Sequence, residues 1–186
     1  MNVKSLFILL LTTVLTFSTL YTPQPILPLL AQEFSVSGSE ISLLISLTLF
    51  PLGLMPIIYG YLIDNVSART ILHWFIGMLA VTELSLAFVS DFRIMLVFRL
   101  LQGLLLPAIF TAIVTYISNH SSADQRQKSI SSYIAATIIG GFAGRFLTGL
   151  ISDISDWRVA FMVWTVGLFA AWTLLWLLKK DTPVQS

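Results

Sequence analysis

The chain contains no cysteine, which excludes disulfide bonds, thiolate metal sites and cysteine nucleophiles. It is also poor in charge, because only 10% of its 186 residues are charged, against roughly 25% in a soluble domain. The net charge of +1 comes without a basic tail, which argues against a nucleic-acid-binding protein. With 56% hydrophobic residues, the chain has more apolar surface than one water-soluble core can hide, so most of it is expected to lie in lipid.

Sequence motifs of membrane enzymes are missing as well. The chain has no glycine-x-serine-x-glycine nucleophile motif and no histidine-glutamate-x-x-histidine zinc motif. Its two histidines, His73 and His120, have no second ligand at metal spacing. We therefore expect a protein that is not an enzyme and that uses neither a metal ion nor another cofactor.

Six apolar stretches are long enough to cross a bilayer, which takes about 20 residues at 1.5 Å each. They are Leu6–Leu30, Ile41–Ile63, Ile71–Val89, Ile94–Ser118, Ile130–Ile151 and Val159–Leu178. The first is interpreted as a membrane helix rather than a signal peptide, because no small-x-small cleavage site follows it. Residues 1–186 are thus predicted to form a single all-α domain of six transmembrane helices.

Basic residues flank these spans unevenly. With both termini in the cytoplasm, the outer loops carry only Arg93 and Arg158. The cytoplasmic segments then carry Lys4, Arg69, Arg126, Lys128, Lys179 and Lys180. Because cytoplasmic loops are enriched in lysine and arginine, this bias predicts that both termini are cytoplasmic.

A shift of 89 residues aligns the second half of the chain with the first. It places Gly60 on Gly149, Asp64 on Asp153 and Arg69 on Arg158. Glycine, aspartate and arginine also cluster at helix ends by themselves, but the hydropathy pattern repeats under the same shift, which favours a true repeat. Three helices followed by three helices have opposite orientations, and such inverted repeats recur in transporters.

The loop after the second span carries a recognisable motif. Gly60, Leu62, Asp64 and Arg69 follow a glycine-x-leucine-x-aspartate pattern with a basic residue behind it. This resembles the signature loop of the major facilitator superfamily, in which such a charge network latches one conformation. The resemblance implies that Gly60, Asp64 and Arg69 form a conformational latch. The alternative is a plain solvated hairpin, and the latch is expected to be weak, because Asn65 stands where the family has arginine.

The fourth span opens with Arg99, Gln102 and Gly103, of which Arg99 and Gln102 share a helix face. This resembles the arginine-x-x-glutamine-glycine motif of the same family and helix. An arginine deep in hydrocarbon costs roughly 2.5–3.5 kcal/mol, so it favours a functional role. We expect Arg99 and Gln102 to line a substrate cavity, with snorkelling of Arg99 to the outer headgroups as the alternative.

The fifth span carries a polar, small-residue stripe at steps of four residues: Ser129, Tyr133, Thr137, Gly141, Arg145 and Gly149. Its glycines resemble the glycine-rich fifth-helix motif of family antiporters, although Arg145 stands where proline is usual. Arg145 is expected to face the cavity. Small residues let helices approach closely, so a packing role is predicted for Gly103, Gly140, Gly141, Gly144 and Gly149.

Two further polar positions lie inside spans. Glu83 is the carboxylate well inside the third span, and it is interpreted either as part of a structural ion pair or as a proton relay. Tyr21 and Gln24 share a face near the end of the first span, in a segment that resembles bacterial drug and sugar-efflux members of the family. We expect both to line the cavity, with an interfacial aromatic as the alternative for Tyr21.

The resemblance covers all six spans and implies secondary active transport of a small organic solute, with proton-coupled efflux by antiport in the bacterial inner membrane. The family has twelve helices in two halves, so the chain resembles an amino-terminal half, with residues 179–186 as the start of a cytoplasmic central linker. The expected partners are the lipid bilayer, the solute, protons and a second six-helix half or a second copy. The alternative is a truncated membrane protein or assembly partner without a pathway of its own.

The predicted topology can be tested by labelling single cysteines, since the chain has none of its own. Cysteines at Ser37 and Ser155 should react with an impermeant maleimide added outside the cell. A cysteine at Ser122 should react only after the membrane is opened, because the positive-inside bias places it in the cytoplasm. Labelling of the Ser122 position from outside would show that the predicted orientation is wrong.

Overall fold

The computed structural model describes residues 1–179, without the side chains of residues 60–64. Six helical segments in this part are long and apolar enough to cross a membrane. They are Val3–Glu33, Gly38–Tyr59, Ala68–Ala87, Phe92–His120, Ala123–Ile154 and Trp157–Leu177. The prediction of an all-α fold with six transmembrane spans is confirmed. The predicted linker falls outside the described residues beyond Lys179.

The first span is broken near its end. It consists of α1 (Val3–Tyr21), a 3₁₀ turn (Gln24–Ile26) and α2 (Leu27–Glu33). Pro23 and Pro25 lie at the break, where neither can donate the backbone hydrogen bond that a continuing α-helix needs. The chain therefore leaves the α-helix at a point that hydropathy alone assigns to one continuous span.

The remaining helices follow in order. They are α3 (Gly38–Ile41), α4 (Leu43–Asn65), α5 (Ala68–Ala87), α6 (Phe92–His120), α7 (Ala123–Ile154), α8 (Trp157–Leu174) and a closing 3₁₀ turn (Leu175–Leu177). A capping box opens the second span. The Ser37 backbone N–H donates to Glu40 at 2.8 Å, and the Ser37 hydroxyl accepts from the Glu40 N–H at 3.3 Å.

The start of α7 differs from the prediction. The fifth span was expected from Ile130, but the helix begins at Ala123, behind the N-cap residue Ser122. The preceding polar segment is rich in glutamine, arginine and lysine, which are good helix formers. Asp124 in the first turn also complements the positive end of the helix dipole. Hydropathy marks where a span enters lipid, whereas the helix itself extends further into water.

The helix boundaries follow the 89-residue shift. The N-cap residues Asn2 and Asp91 are equivalent under this shift, and each accepts a hydrogen bond from the backbone N–H two residues later. Ser67 and Asp156, the N-caps of α5 and α8, are equivalent in the same way. The ends of α4 and α7, Asn65 and Ile154, also correspond. The two halves of the chain therefore repeat one arrangement of three helices.

Helix packing arranges the six spans in a curved row. The most extensive contacts give the order α4, α6, α5, α8, α1 and α7, with α4 and α7 at the two ends, and the row curves so that α6 also contacts α1 and α7. These end members are also the least buried of the six spans. Both described chain ends lie at one end of the bundle, where the N-terminal ammonium donates to Gln125 and Tyr116 donates to the Lys179 carbonyl, each at 3.1 Å.

Glycines allow two pairs of helices, α1 with α7 and α4 with α6, to approach closely. A Cβ added to Gly140 on α7 would lie 2.5 Å from the Val14 carbonyl oxygen on α1. A Cβ added to Gly103 on α6 would lie 2.6 Å from the Thr48 carbonyl oxygen on α4. Gly144 meets α1 in the same way, whereas Gly141 and Gly149 have more room.

Hydroxyl groups accompany both contacts. Ser18 donates to the Val14 carbonyl of its own helix at 2.8 Å and shares this proton with the Gly140 carbonyl at 3.0 Å. Thr48 likewise donates to the Leu44 carbonyl at 3.0 Å and to the Arg99 carbonyl at 3.1 Å. Small residues and interhelical hydroxyl bonds are how helices associate in lipid, where no hydrophobic force drives them together.

We expect Gly140→Ala to lower the free energy of unfolding by about 1–3 kcal/mol, since the added methyl group forces α1 and α7 apart. The matched control is Gly149→Ala on the same helix, where a Cβ lies 3.6 Å from Pro25, an ordinary contact. This control should be neutral or stabilising by up to about 1 kcal/mol, because alanine is the better helix former. Unfolding of the purified variants in detergent measures both changes, and equal losses would contradict the close contact.

Candidate functional site: two polar clusters around a broken helix

The break in the first span releases backbone carbonyl groups inside the membrane. Pro23 has no N–H, so the Thr19 carbonyl four residues earlier loses its helical donor. The Leu20 carbonyl also belongs to the last turn of α1, where carbonyls have no partner within the helix. Because Thr19 and Leu20 are buried, these oxygens need donors from another part of the protein.

Arg99 of α6 supplies these donors. Its side chain is 0% exposed, with Nη2 donating to the Leu20 carbonyl at 3.0 Å and Nη1 directed at the Thr19 carbonyl at 3.4 Å. Nε donates to the Leu44 carbonyl of α4 at 3.2 Å. The guanidinium thus caps α1 at the negative end of its dipole and joins three spans. The Arg99 side chain therefore points into the bundle and does not snorkel to the outer headgroups.

Gln102 and Glu83 extend this cluster into α5. Arg99 Nη1 donates to Gln102 Oε1 at 2.6 Å, and Gln102 Nε2 donates to Glu83 Oε2 at 2.7 Å. All three side chains are fully buried. Glu83 Oε1 has no hydrogen-bond partner among the described residues. We call Arg99, Gln102 and Glu83 the buried triad, in which an amide lies between the guanidinium and the carboxyl group.

A second cluster lies on the surface of the bundle, where α7 meets the end of α1. Arg145 is exposed, and its Nε donates to Gln24 Oε1 at 2.5 Å. Its Nη1 donates to the Gly141 carbonyl at 3.0 Å, and its Cζ lies 3.8 Å from the centre of the Tyr21 ring. Cation–π attraction and two hydrogen bonds therefore hold the guanidinium at one place on this face. We call Tyr21, Gln24 and Arg145 the surface cluster.

The structure separates residues that were each expected to line the cavity. Tyr21, Gln24 and Arg145 come together on the surface, but Arg99 and Gln102 point into the bundle. The latter two do not share the exposed face of the surface cluster, because the carbonyls at the break attract the Arg99 guanidinium inward. A cavity role of Arg99 and Gln102 stays a prediction.

A third contact, at the opposite end of the bundle from the chain termini, was missed in the sequence. Arg158 at the start of α8 forms a salt bridge of 2.7 Å with Glu33 at the end of α2. The Trp157 indole N–H donates to the same carboxylate, and the Arg158 Cζ lies 4.2 Å above the Trp157 ring. The pattern of basic residues assigned Arg158 to an outer loop and predicted no partner for it. The sequence does contain a signal for this contact. An acidic residue, Glu33, ends the first span, and the Trp157–Arg158 pair stands at the start of a later helix.

Of the three residues of the predicted latch, Arg69 is the one whose side chain the structure describes. Gly60 and Asp64 lie outside the described residues. Arg69 donates through Nη2 to the Trp176 carbonyl at 2.8 Å, which links the start of α5 to the end of the sixth span. The latch itself stays a prediction.

We expect Arg99→Leu to lower the free energy of unfolding by about 3–5 kcal/mol, because the substitution leaves the buried Gln102 amide oxygen and the backbone carbonyls of Leu20 and Leu44 without their donor. Arg145→Leu should cost less than half as much, since Arg145 is exposed and its partners can turn toward other groups. Thermal unfolding of both variants in the same detergent measures the difference. Equal losses would mean that burial of the triad does not determine its contribution.

Comparison with known proteins agrees with this architecture. The sequence profile of the Major Facilitator Superfamily matches residues 9–186. The inner membrane transport protein YnfM of Escherichia coli is 32% identical over 157 residues, which cover 83% of this chain and 37% of YnfM. The quinolone resistance protein NorA of Staphylococcus aureus is 21% identical over 168 residues, 90% of this chain and 43% of NorA.

A solved structure has the same fold. A bacterial homologue of the human lysosomal transporter Spinster, in an inward-facing and unoccupied conformation, superposes with a TM-score of 0.84 at 16% identity, over 98% of this chain and 44% of that protein. The chain thus spans less than half the length of each of these relatives. Since the profile matches nearly the whole sequence, the chain belongs to the Major Facilitator Superfamily.

Proposed function

We propose that the chain is the amino-terminal half of a secondary transporter that exports a small organic solute across the bacterial inner membrane in exchange for protons. The surface cluster carries this proposal, because it places a fixed positive charge on an exposed face within the span of α7. Relatives named as an inner membrane transport protein and as a quinolone resistance protein support transport and its outward direction.

The surface cluster requires a cover. A guanidinium that faces hydrocarbon costs roughly 2.5–3.5 kcal/mol, and functional charges in membranes therefore face a bundle interior or a water-filled cavity. Arg145 lies on α7, one of the two end members of the helix row and one of the two least buried spans. A second six-helix half, or a second copy of the chain, placed against α4 and α7 would enclose a cavity lined by Tyr21, Gln24 and Arg145.

The buried triad supplies a site for the coupling proton. Glu83 is a fully buried carboxyl group with one oxygen bound to Gln102 and one oxygen without a partner among the described residues. An ionisable group at this depth is either neutral or compensated, and a change between these two states moves a proton. Arg99 stays charged at working pH and holds α1, α4 and α6 together beside this acid. A change in charge at Glu83 therefore acts on the contact between these helices.

Reconstituted vesicles that contain a pH-sensitive dye can test this function. Solutes from a panel of sugars, amino acids, carboxylates and lipophilic drugs are added outside, and the internal pH is followed. In an antiporter, an entering solute drives protons out, so the lumen should become alkaline. Glu83→Gln should abolish this pH change, because an amide cannot bind and release the proton, whereas exchange of labelled solute across the membrane should persist.

The matched control is Asp124→Asn, which removes an exposed carboxylate at the start of α7. This variant should retain both the pH change and the solute exchange. Loss of the pH change in both variants would contradict the role of Glu83. Absence of any response from the whole chain, together with absence of solute exchange, would favour the alternative of a membrane protein without its own pathway.

A further inference from the structure

A groove lies on the side of the bundle that is away from the surface cluster. It runs between α5 and α8, has a volume of about 650 Å³, and is lined mainly by Gly77, Met78, Val81, Phe169, Trp172 and Trp176. Because α5 and α8 are in the middle of the helix row, a second half that covers α4 and α7 leaves this groove facing lipid. Its apolar lining suits an acyl chain rather than a water-soluble ligand.

Gly77 shapes the floor of this groove. The Trp172 indole crosses from α8 to α5 and donates its N–H to the His73 carbonyl at 2.8 Å. A Cβ on Gly77 would lie 3.0 Å from the Trp172 Nε1 atom, so a larger residue would press against the indole. The groove thus has a rigid aromatic wall and a floor at the level of the backbone.

The groove becomes polar at the end of the bundle that carries the chain termini. There it meets a smaller space of about 190 Å³, lined by Arg69, Thr70, His73, Trp74 and Trp176. Arg69 and Thr70 belong to the first turn of α5, which is the positive end of that helix dipole. His73 packs edge-on against Trp176 at a ring distance of 4.1 Å. Tryptophan beside arginine is typical of the headgroup level of a membrane.

We propose that this groove binds a phospholipid with an anionic headgroup. The phosphate contacts the Arg69 guanidinium and the Thr70 hydroxyl, and one acyl chain lies along Gly77 and Val81 against the Trp172 ring. Charge complementarity selects the headgroup, because the mouth joins a guanidinium to the positive end of a helix. The shape of the groove selects an extended apolar chain, which continues directly from that mouth.

The tryptophans of the protein report on this site directly. Three of the five tryptophans, Trp74, Trp172 and Trp176, line the groove. The other two, Trp157 and Trp164, are buried at 1% and 5% exposure. Bromine on a lipid acyl chain quenches tryptophan fluorescence on contact. Brominated phosphatidylglycerol in phosphatidylcholine vesicles, with brominated phosphatidylcholine as the reference, therefore measures how strongly the groove selects the anionic lipid.

We expect the whole reconstituted chain to prefer brominated phosphatidylglycerol about five-fold, as one arginine at the headgroup level provides. Arg69→Gln should abolish this preference, and Arg69→Lys should retain most of it. The matched control is Arg126→Gln, because Arg126 lies at the same end of the bundle and also donates to a backbone carbonyl, that of Ser118 at 3.1 Å, but does not line the groove. This control should keep the preference.

Two results would overturn the proposal. One is a native chain that is quenched equally by both brominated lipids, a result that needs no variant to fold. The other is an equal loss of preference in Arg69→Gln and Arg126→Gln, which would assign the effect to the general surface charge. The outcome does not depend on transport, so it stands apart from the function proposed above.

Discussion

Backbone carbonyls without donors, released where the first span breaks, determine how this bundle is built. In lipid, every such oxygen must find a donor within the protein. Arg99 has enough N–H groups to serve α1 and α4 at the same time, and it carries the positive charge that the end of α1 attracts. The break also turns the chain so that Tyr21 and Gln24 meet Arg145 on the outer face. One proline-rich segment thus creates both polar clusters.

The repeat explains why the rest of the bundle is so regular. Val14 and Gly103 are equivalent under the 89-residue shift, and each lies at a close contact of its helix with a neighbour. Each contact joins a helix of the first half to a helix of the second, and in both cases the glycine is on the second-half helix, α7 or α6. At both contacts a hydroxyl group of the first half, that of Ser18 or Thr48, shares its proton between two helices. The repeat therefore reproduces the close contact without reproducing its residue types.

The spans were predictable from the sequence because hydropathy depends only on neighbours along the chain. The inward direction of Arg99 was not, since Arg99 and Arg145 lie at similar depth and each has a polar residue nearby in sequence. What separates them is the carbonyl-rich end of α1, which comes from a distant part of the chain. The contact between Glu33 and Arg158 was missed for the same reason. Tyr21, Gln24 and Arg145 were each expected to line the cavity, a role that stays a prediction, and only the fold shows that they touch one another.

The amide of Gln102 has a fixed direction within the buried triad. A guanidinium only donates hydrogen bonds, so the amide must turn its oxygen toward Arg99 and its NH₂ group toward Glu83. Glu83 Oε2 accepts from this amide, and Oε1 is the oxygen without a hydrogen-bond partner among the described residues. If Glu83 binds the coupling proton as proposed above, Oε1 is the atom open to it, and the guanidinium, which only donates, does not accept that proton.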